Sequence, residues 1–518
     1  MSTSIFNNRS WTLDDIQRAF DECYKVGVTD PDGLKLDVYD NQLEVISSDQ
    51  MLDAYSTVAL PIMYNHWSFG KKHLREAKSY QDGKSGLAYE IVINSDPCIA
   101  YLMQDNSIIT QLLVIMHASF GHNFVFKNNY MFKDWTDAKG IIPYLVYAKE
   151  YVARMEVKYG LERVEKLLDN CHALQYHSVD RYKRPEALTA NESEQAKKDR
   201  EELYRKAYDP NWRSLPQASY ERLMAEGERA EEERFPAEKE ENILHFIEKY
   251  SPILEPWERE IVRIVRKISQ YFYPQMQTQV VNEGAASFVH YWGVNKMFEK
   301  GLLSGGDMLE FLKLHTGVLY QGMTQARFVN GPGQEKYISD LYLPDMNPYA
   351  FGFSILQDLK RICENPTPED KRWFPDYAGQ PWLPVIKHAI CDYRDESFVG
   401  QFLSPKLMRE WRLFDIKSDS RDPYVEIAAV SDDDGFHHIR KELANNYALS
   451  TRLPDIYVVK ADIKRSRNLF LEHTSMDGRS LHKPMALMSL KAIKELWGFS
   501  VALTSVTVDG REIDRLAL

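Results

Sequence analysis

The sequence predicts a predominantly α-helical N-terminal region followed by a smaller α/β C-terminal domain. Apolar residues recur at helical spacing in long segments from about residue 11 to residue 406. After Trp411 the texture changes to alternating, β-rich runs around short helical pieces. The chain's 518 residues also exceed the roughly 250–300 at which one hydrophobic core stops growing. The expected division is 1–410, mainly helical with a charged insertion near 183–242, and 411–518, a small α/β domain.

Taken in order, Thr12-Leu13-Asp14-Asp15 reads as a helix N-cap with an acidic first turn. Periodic apolar segments around 87–103, 107–126, 143–172, 257–300 and 307–320 read as helices. The mixed-charge stretch containing AKKDREELYRK and AEGERAEEERFPAEKEEN reads as a solvated helical insertion, with opposite charges three and four apart. From Phe328 to Tyr349, Gly and Pro punctuation predicts a long ordered loop. Beyond it, YVEIAAV, DIYVVKADI, NLFLEHT and SVALTSVTV read as strands, and HIRKELANNYAL and MALMSLKAIKELWG as helices.

Composition narrows the function classes. Hydrophobic residues at 44% and charged residues at 27% are those of a folded chain. A net charge of −12 argues against nucleic acid and anionic lipid as partners. The N-terminus lacks a basic segment followed by an apolar one, and no apolar run reaches the ~18 residues that span a bilayer, so a cytoplasmic location is expected. The cysteines Cys23, Cys98, Cys171, Cys363 and Cys391 have no C-x-x-C spacing and read as reduced thiols. Gly331-Pro332-Gly333 is too short for a phosphate loop, so no nucleotide cofactor is indicated.

The informative feature is polar residues inside apolar runs. In IITQLLVIMHASFGHNFVF, His117 and His122 sit in a segment too hydrophobic for a surface helix. Glu90 in GLAYEIVINS and Glu283 in QVVNEGAASFVHYW raise the same question with a charge. Buried groups of this kind are paired, protonated or metal-bound, because an unsatisfied one costs a few kcal/mol. At ~100° per residue, Glu283 and His290 fall within about 20° of each other on a helix; Asn282, adjacent in the chain, is a further site candidate.

His117, His122, Glu283 and His290 therefore form the candidate ligand set for a divalent metal, zinc first, with Glu90 as base or further ligand. His117 and His122 are five apart, about 140° around an ideal helix, so both reach one ion only if Gly121 or a bulge bends the turn. The H-E-x-x-H metalloprotease pattern is not met, since Ala118 follows His117. His66 in an aromatic setting, and His172 and His177 beside Ala, Leu and Tyr, are further candidates. The alternative is a satisfied polar network that fixes the core without catalysis.

HWSFGK (66–71), GLAYEIVINSDPCIAYLM (86–103), HASFGHNFVFKNN (117–129), HALQYHSVDRY (172–182), QYFYPQMQTQVVNEGAASFVHYW (270–292), NPYAFGF (347–353), RICENPTPEDKRWFPD (361–376) and DESFVGQFLSPKL (395–407) resemble the SpoVR-like family over nearly the whole chain. That family takes its name from a stage V sporulation protein linked to the spore cortex. The resemblance implies a role in sporulation or in stress and stationary-phase response, often beside a PrkA-like serine kinase and an associated protein. It transfers no catalytic residues. Two functions are therefore expected in competition: a metal-dependent hydrolase acting on cell-wall peptide or amino-sugar material, and a non-enzymatic partner of a PrkA-like kinase system.

Overall fold

The computed structural model describes residues 4–6, 10–56, 60, 62–69, 71, 90–182, 235–236, 238–321, 325–330, 336–342, 346–411, 413, 415–417, 426–429, 433–449, 453–463, 465–476 and 478–518. Most of the charged insertion lies outside them. The described chain falls into two compact units, residues 1–161 with 271–452, and residues 162–270 with 453–518.

The first unit is mostly helical. Its opening helix, Leu13–Tyr24, starts as expected: Thr12 accepts from the Asp15 amide, and the Asp15 carboxylate accepts from the Thr12 amide. A small sheet follows, made of β1 (Asn41–Ile46), β2 (Glu90–Ile93) and β3 (Cys98–Met103) in the order β1-β3-β2. β1 runs parallel to β3, and β2 runs antiparallel to it with Glu90 opposite Leu102.

Two strands thus stand where the apolar pattern of 87–103 predicted a helix. Ile91 and Ile93 are buried on one side of β2, and Cys98, Ala100 and Leu102 on one side of β3. This is the two-residue period of a strand. Asn94-Ser95-Asp96-Pro97 separates the two runs with turn residues, and together they imitated a longer helical repeat.

The core is built on the helix Ile108–Asn128. By length and composition it is the one helix among the described residues that could cross a membrane, and its apolar window is buried throughout. A helix hydrophobic on all sides is what the centre of a large core requires. Against it packs the helix Gln279–Glu299, which in turn packs on Pro348–Glu364.

Glycine sets how closely these helices approach. A Cβ on Gly121 would stand 2.5 Å from the Ala286 Cα, and a Cβ on Gly352 would stand 2.1 Å from the Val280 carbonyl oxygen. Backbones this close exclude any side chain at either position.

The loop expected over 328–349 is in part a hairpin. β4 (Gln325–Asn330) pairs antiparallel with β5 (Lys336–Tyr342), and the turn itself, 331–335, lies outside the described residues. A second short pair, β6 (Asp415–Lys417) with β7 (Glu426–Ala429), precedes the helix Asp433–Tyr447.

In the second unit, β8 (Asp455–Ala461), β9 (Leu469–Ser475), β10 (Val501–Thr507) and β11 (Glu512–Ala517) form one sheet in the order β11-β10-β9-β8. β9 and β10 are parallel and are joined by the helix Lys483–Trp497, as a parallel pair requires. The C-terminal region is therefore α/β, as the sequence predicts, with β11 added at the end. Helices from 162–270 complete this unit: Phe246 stacks on the fully buried Trp497 at 5.8 Å, and the Ser251 hydroxyl donates to the Leu496 carbonyl at 2.8 Å.

Candidate metal centre

His117 and His122 share a face because the helix that carries them changes pitch. Residues Met116–His122 form a π-helical turn, closed where the Asn123 amide donates to the Ala118 carbonyl five residues back. In that geometry residues five apart stack one above the other, whereas an α-helix would separate them. The two rings meet edge to face with centroids 4.6 Å apart.

Two carboxylates face these rings. Glu90, first residue of β2, places Oε1 3.4 Å from His117 Nε2. Glu283, on Gln279–Glu299, places Oε2 3.7 Å from His117 Nε2 and 3.5 Å from His122 Nε2. Hydrogen bonds between such groups are shorter, about 2.7–2.9 Å. An ion held in a tetrahedron by bonds of about 2.0–2.1 Å separates its ligand atoms by about 3.3–3.4 Å. The observed spacings are close to the edges of such a tetrahedron.

The ligand atoms of Glu90, His117 and His122 lie within 4.8 Å of one another, so this group can hold a metal ion. His117 Nε2, Glu90 Oε2 and Glu283 Oε2 are buried and have no hydrogen-bond partner among the described residues. Three orphaned atoms at one point would cost several kcal/mol unless something binds them.

The electrostatics separate the two carboxyls. Burial, reinforced by the negative charge of Glu283, raises the Glu90 pKa well above the usual range. Burial acts on Glu283 in the same direction, but His122, His117 and a hydrogen bond from Tyr349 outweigh it and hold Glu283 low. Burial pushes His117 down to about 4, so its ring is neutral and ligand-competent near pH 7. The histidine rings keep 3% and 7% of their exposure and the carboxylates 19% and 20%, so the carboxylates form the accessible side.

Comparison with known proteins covers nearly the whole chain. Residues 10–452 match the family model described as SpoVR like protein, and residues 454–508 match the SpoVR-like C-terminal domain. The chain belongs to the SpoVR-like family. It is 45% identical over 509 residues, 98% of its own length and 95% of the relative's, to the uncharacterized protein YcgB of Escherichia coli (strain K12). No solved structure matches it.

The remaining candidates of this SpoVR-like chain are placed as follows. Asn282 stands behind His122, its Oδ1 2.9 Å from Nδ1. His290 stands behind His117, with Nδ1 to Nδ1 at 2.9 Å. His66 sits in the described segment 62–69, its Nδ1 2.7 Å from the Ser68 hydroxyl and its ring tilted against Trp67. His172 and His177 belong to the second unit.

Two residues beside the SpoVR-like centre were not singled out from the sequence. Tyr349, second residue of Pro348–Glu364, lays its ring parallel to His117 at 6.0 Å and hydrogen-bonds Glu283. His315, on the helix Gly305–Val318, meets His290 at 2.7 Å. Both carried a signal. Asn347-Pro348 marks a helix start that presents Tyr349, and Met308, Phe311 and His315 are the i, i+3, i+7 positions of one buried stripe.

Proposed function

We propose that the protein is a metal-dependent hydrolase with a single divalent ion, zinc first, held by His117, His122 and Glu283. The observation that carries this reading is the set of 3.4–3.7 Å spacings around orphaned, buried ligand atoms. A bound ion supplies a water of lowered pKa and polarises an amide or ester carbonyl. Glu90 sits one tetrahedron edge from His117 on the accessible side and acts as general base, then as acid toward the leaving group. Its raised pKa suits both roles. Tyr349 keeps Glu283 ionised and oriented. The spore-cortex association of the family directs substrate screening first to amide bonds of cell-wall peptides and to acylated amino sugars.

Elemental analysis of protein purified without an affinity tag tests this reading. Wild type should carry one zinc per chain, and folded His117→Ala and Glu283→Ala should carry none. Glu90→Gln should keep its zinc and lose hydrolysis. A folded wild type without metal would instead make the buried set a structural network.

A further inference from the structure

The two histidines of the centre are backed differently. His122 Nδ1 faces a single amide oxygen, Asn282 Oδ1, at 2.9 Å. An oxygen only accepts, so Nδ1 carries the proton and Nε2 presents a lone pair toward Glu283. His117 has the Ala286 backbone within hydrogen-bonding reach and, in place of a side-chain amide, a second imidazole behind it. His117 Nδ1 faces His290 Nδ1 at 2.9 Å, and His290 Nε2 faces His315 Nδ1 at 2.7 Å.

Each contact in this row needs one N–H and one bare nitrogen. With neutral rings, two directions satisfy the row. Running outward, His117 Nδ1–H donates to His290 Nδ1, His290 Nε2–H donates to His315 Nδ1, and His117 Nε2 is left bare. Running inward, every ring carries its proton on the other nitrogen and His117 Nε2 is blocked. Only the outward direction leaves a lone pair for an ion.

The far end is held in place. The His315 ring stacks on Tyr291 at 4.7 Å, lies parallel to Phe311 at 5.8 Å and meets Phe353 edge-on at 5.0 Å. It is 4% exposed, and His290 is fully buried.

We propose that His290 and His315 are positioning residues that hold His117 in its Nδ1–H tautomer, so that His117 Nε2 serves as a ligand. This rests on the metal-centre reading above. It extends the centre to a residue some 25 positions further along the chain than His290 and accounts for why three histidines, rather than one, are buried in a row.

The test uses the full chain labelled with 15N-histidine, with the His117, His290 and His315 signals identified by their loss in single variants. In the zinc-loaded wild type, His117 Nδ1, His290 Nε2 and His315 Nε2 should be protonated; a protonated His117 Nε2 or a bare His117 Nδ1 overturns the proposal. In chelator competition, His315→Phe should weaken zinc binding about 10–100-fold, and His315→Asn, which returns an acceptor near the Nδ1 position, should recover most of it. A folded His315→Phe that binds zinc like wild type also overturns it. Should His315→Phe fail to fold, the wild-type tautomers decide. A wild type that takes up no zinc overturns the metal centre itself, an outcome distinct from zinc uptake without dependence on His315.

Discussion

His117 and His122 were legible as buried histidines because nearly all of their neighbours in the run are apolar or small, but their convergence was not. Five-residue spacing reads as divergence on an α-helix, and only the π-helical turn at Met116–His122 reverses it. Tyr349 is the residue whose contribution is simplest to isolate. Tyr349→Phe keeps the ring against His117 and removes the hydroxyl from Glu283. Zinc affinity should fall about 10-fold, as measured by chelator competition; unchanged affinity would show that Glu283 needs no such support. A separate prediction concerns His177, which burial, with Arg181 and His473 nearby, pushes down to about 4. Unfolded, an imidazole takes up its proton below about 6.5. Between those two values the unfolded state holds more protons, so stability falls as pH drops from neutrality toward 4. One such ring accounts for a loss of about 2 kcal/mol by pH 5. Urea unfolding at both pH values should therefore show His177→Gln losing less stability on acidification than wild type, and equal losses would refute the assignment.

At the scale of elements, periodicity identified the long helices because their apolar faces repeat over many turns. It failed at 87–103 and 328–349, where short strands and turn residues mix two periods within one window. The close crossings of the core helices were not legible either. A glycine inside a helical pattern looks like a weak point until its neighbour is known. At Gly352 the neighbour is the Val280 carbonyl oxygen, 2.1 Å from where a Cβ would stand. Gly352→Ala should destabilise the protein by about 1–3 kcal/mol, more than the ~1 kcal/mol that alanine gains in helix propensity. Gly317→Ala, on Gly305–Val318 with nothing within 4 Å, is the matched control and should be neutral or stabilising. Thermal unfolding of the two variants checks this, and similar melting temperatures would remove the crossing as the reason for glycine.

For the whole molecule, the change of texture after Trp411 is visible in the sequence, whereas the union of 162–270 with 453–518 is not. No local pattern states which distant segment a helix will cover. This union yields a prediction for a chain ending at residue 452. Removing 453–518 strips Trp497 from Phe246 and Asp455 from Arg181, whose side chain is only 7% exposed. A buried charge without its partner costs about 3–5 kcal/mol. Limited proteolysis of the truncated chain should therefore cut within 162–182 and 238–270, and continued protection of those stretches would show that they fold without their C-terminal half. The same discontinuity governs birth on the ribosome. Residue 162 leaves the tunnel some 290 residues before residue 453, roughly 15–60 s at the usual 5–20 residues per second. Glu90, His117 and His122 likewise emerge well before Glu283, so a nascent chain exposes two histidines and a glutamate with no fourth partner. If the centre takes a metal as proposed, loading is thereby deferred until late in synthesis, and a chain stalled before residue 283 would be a scavenger of stray ions rather than a finished protein.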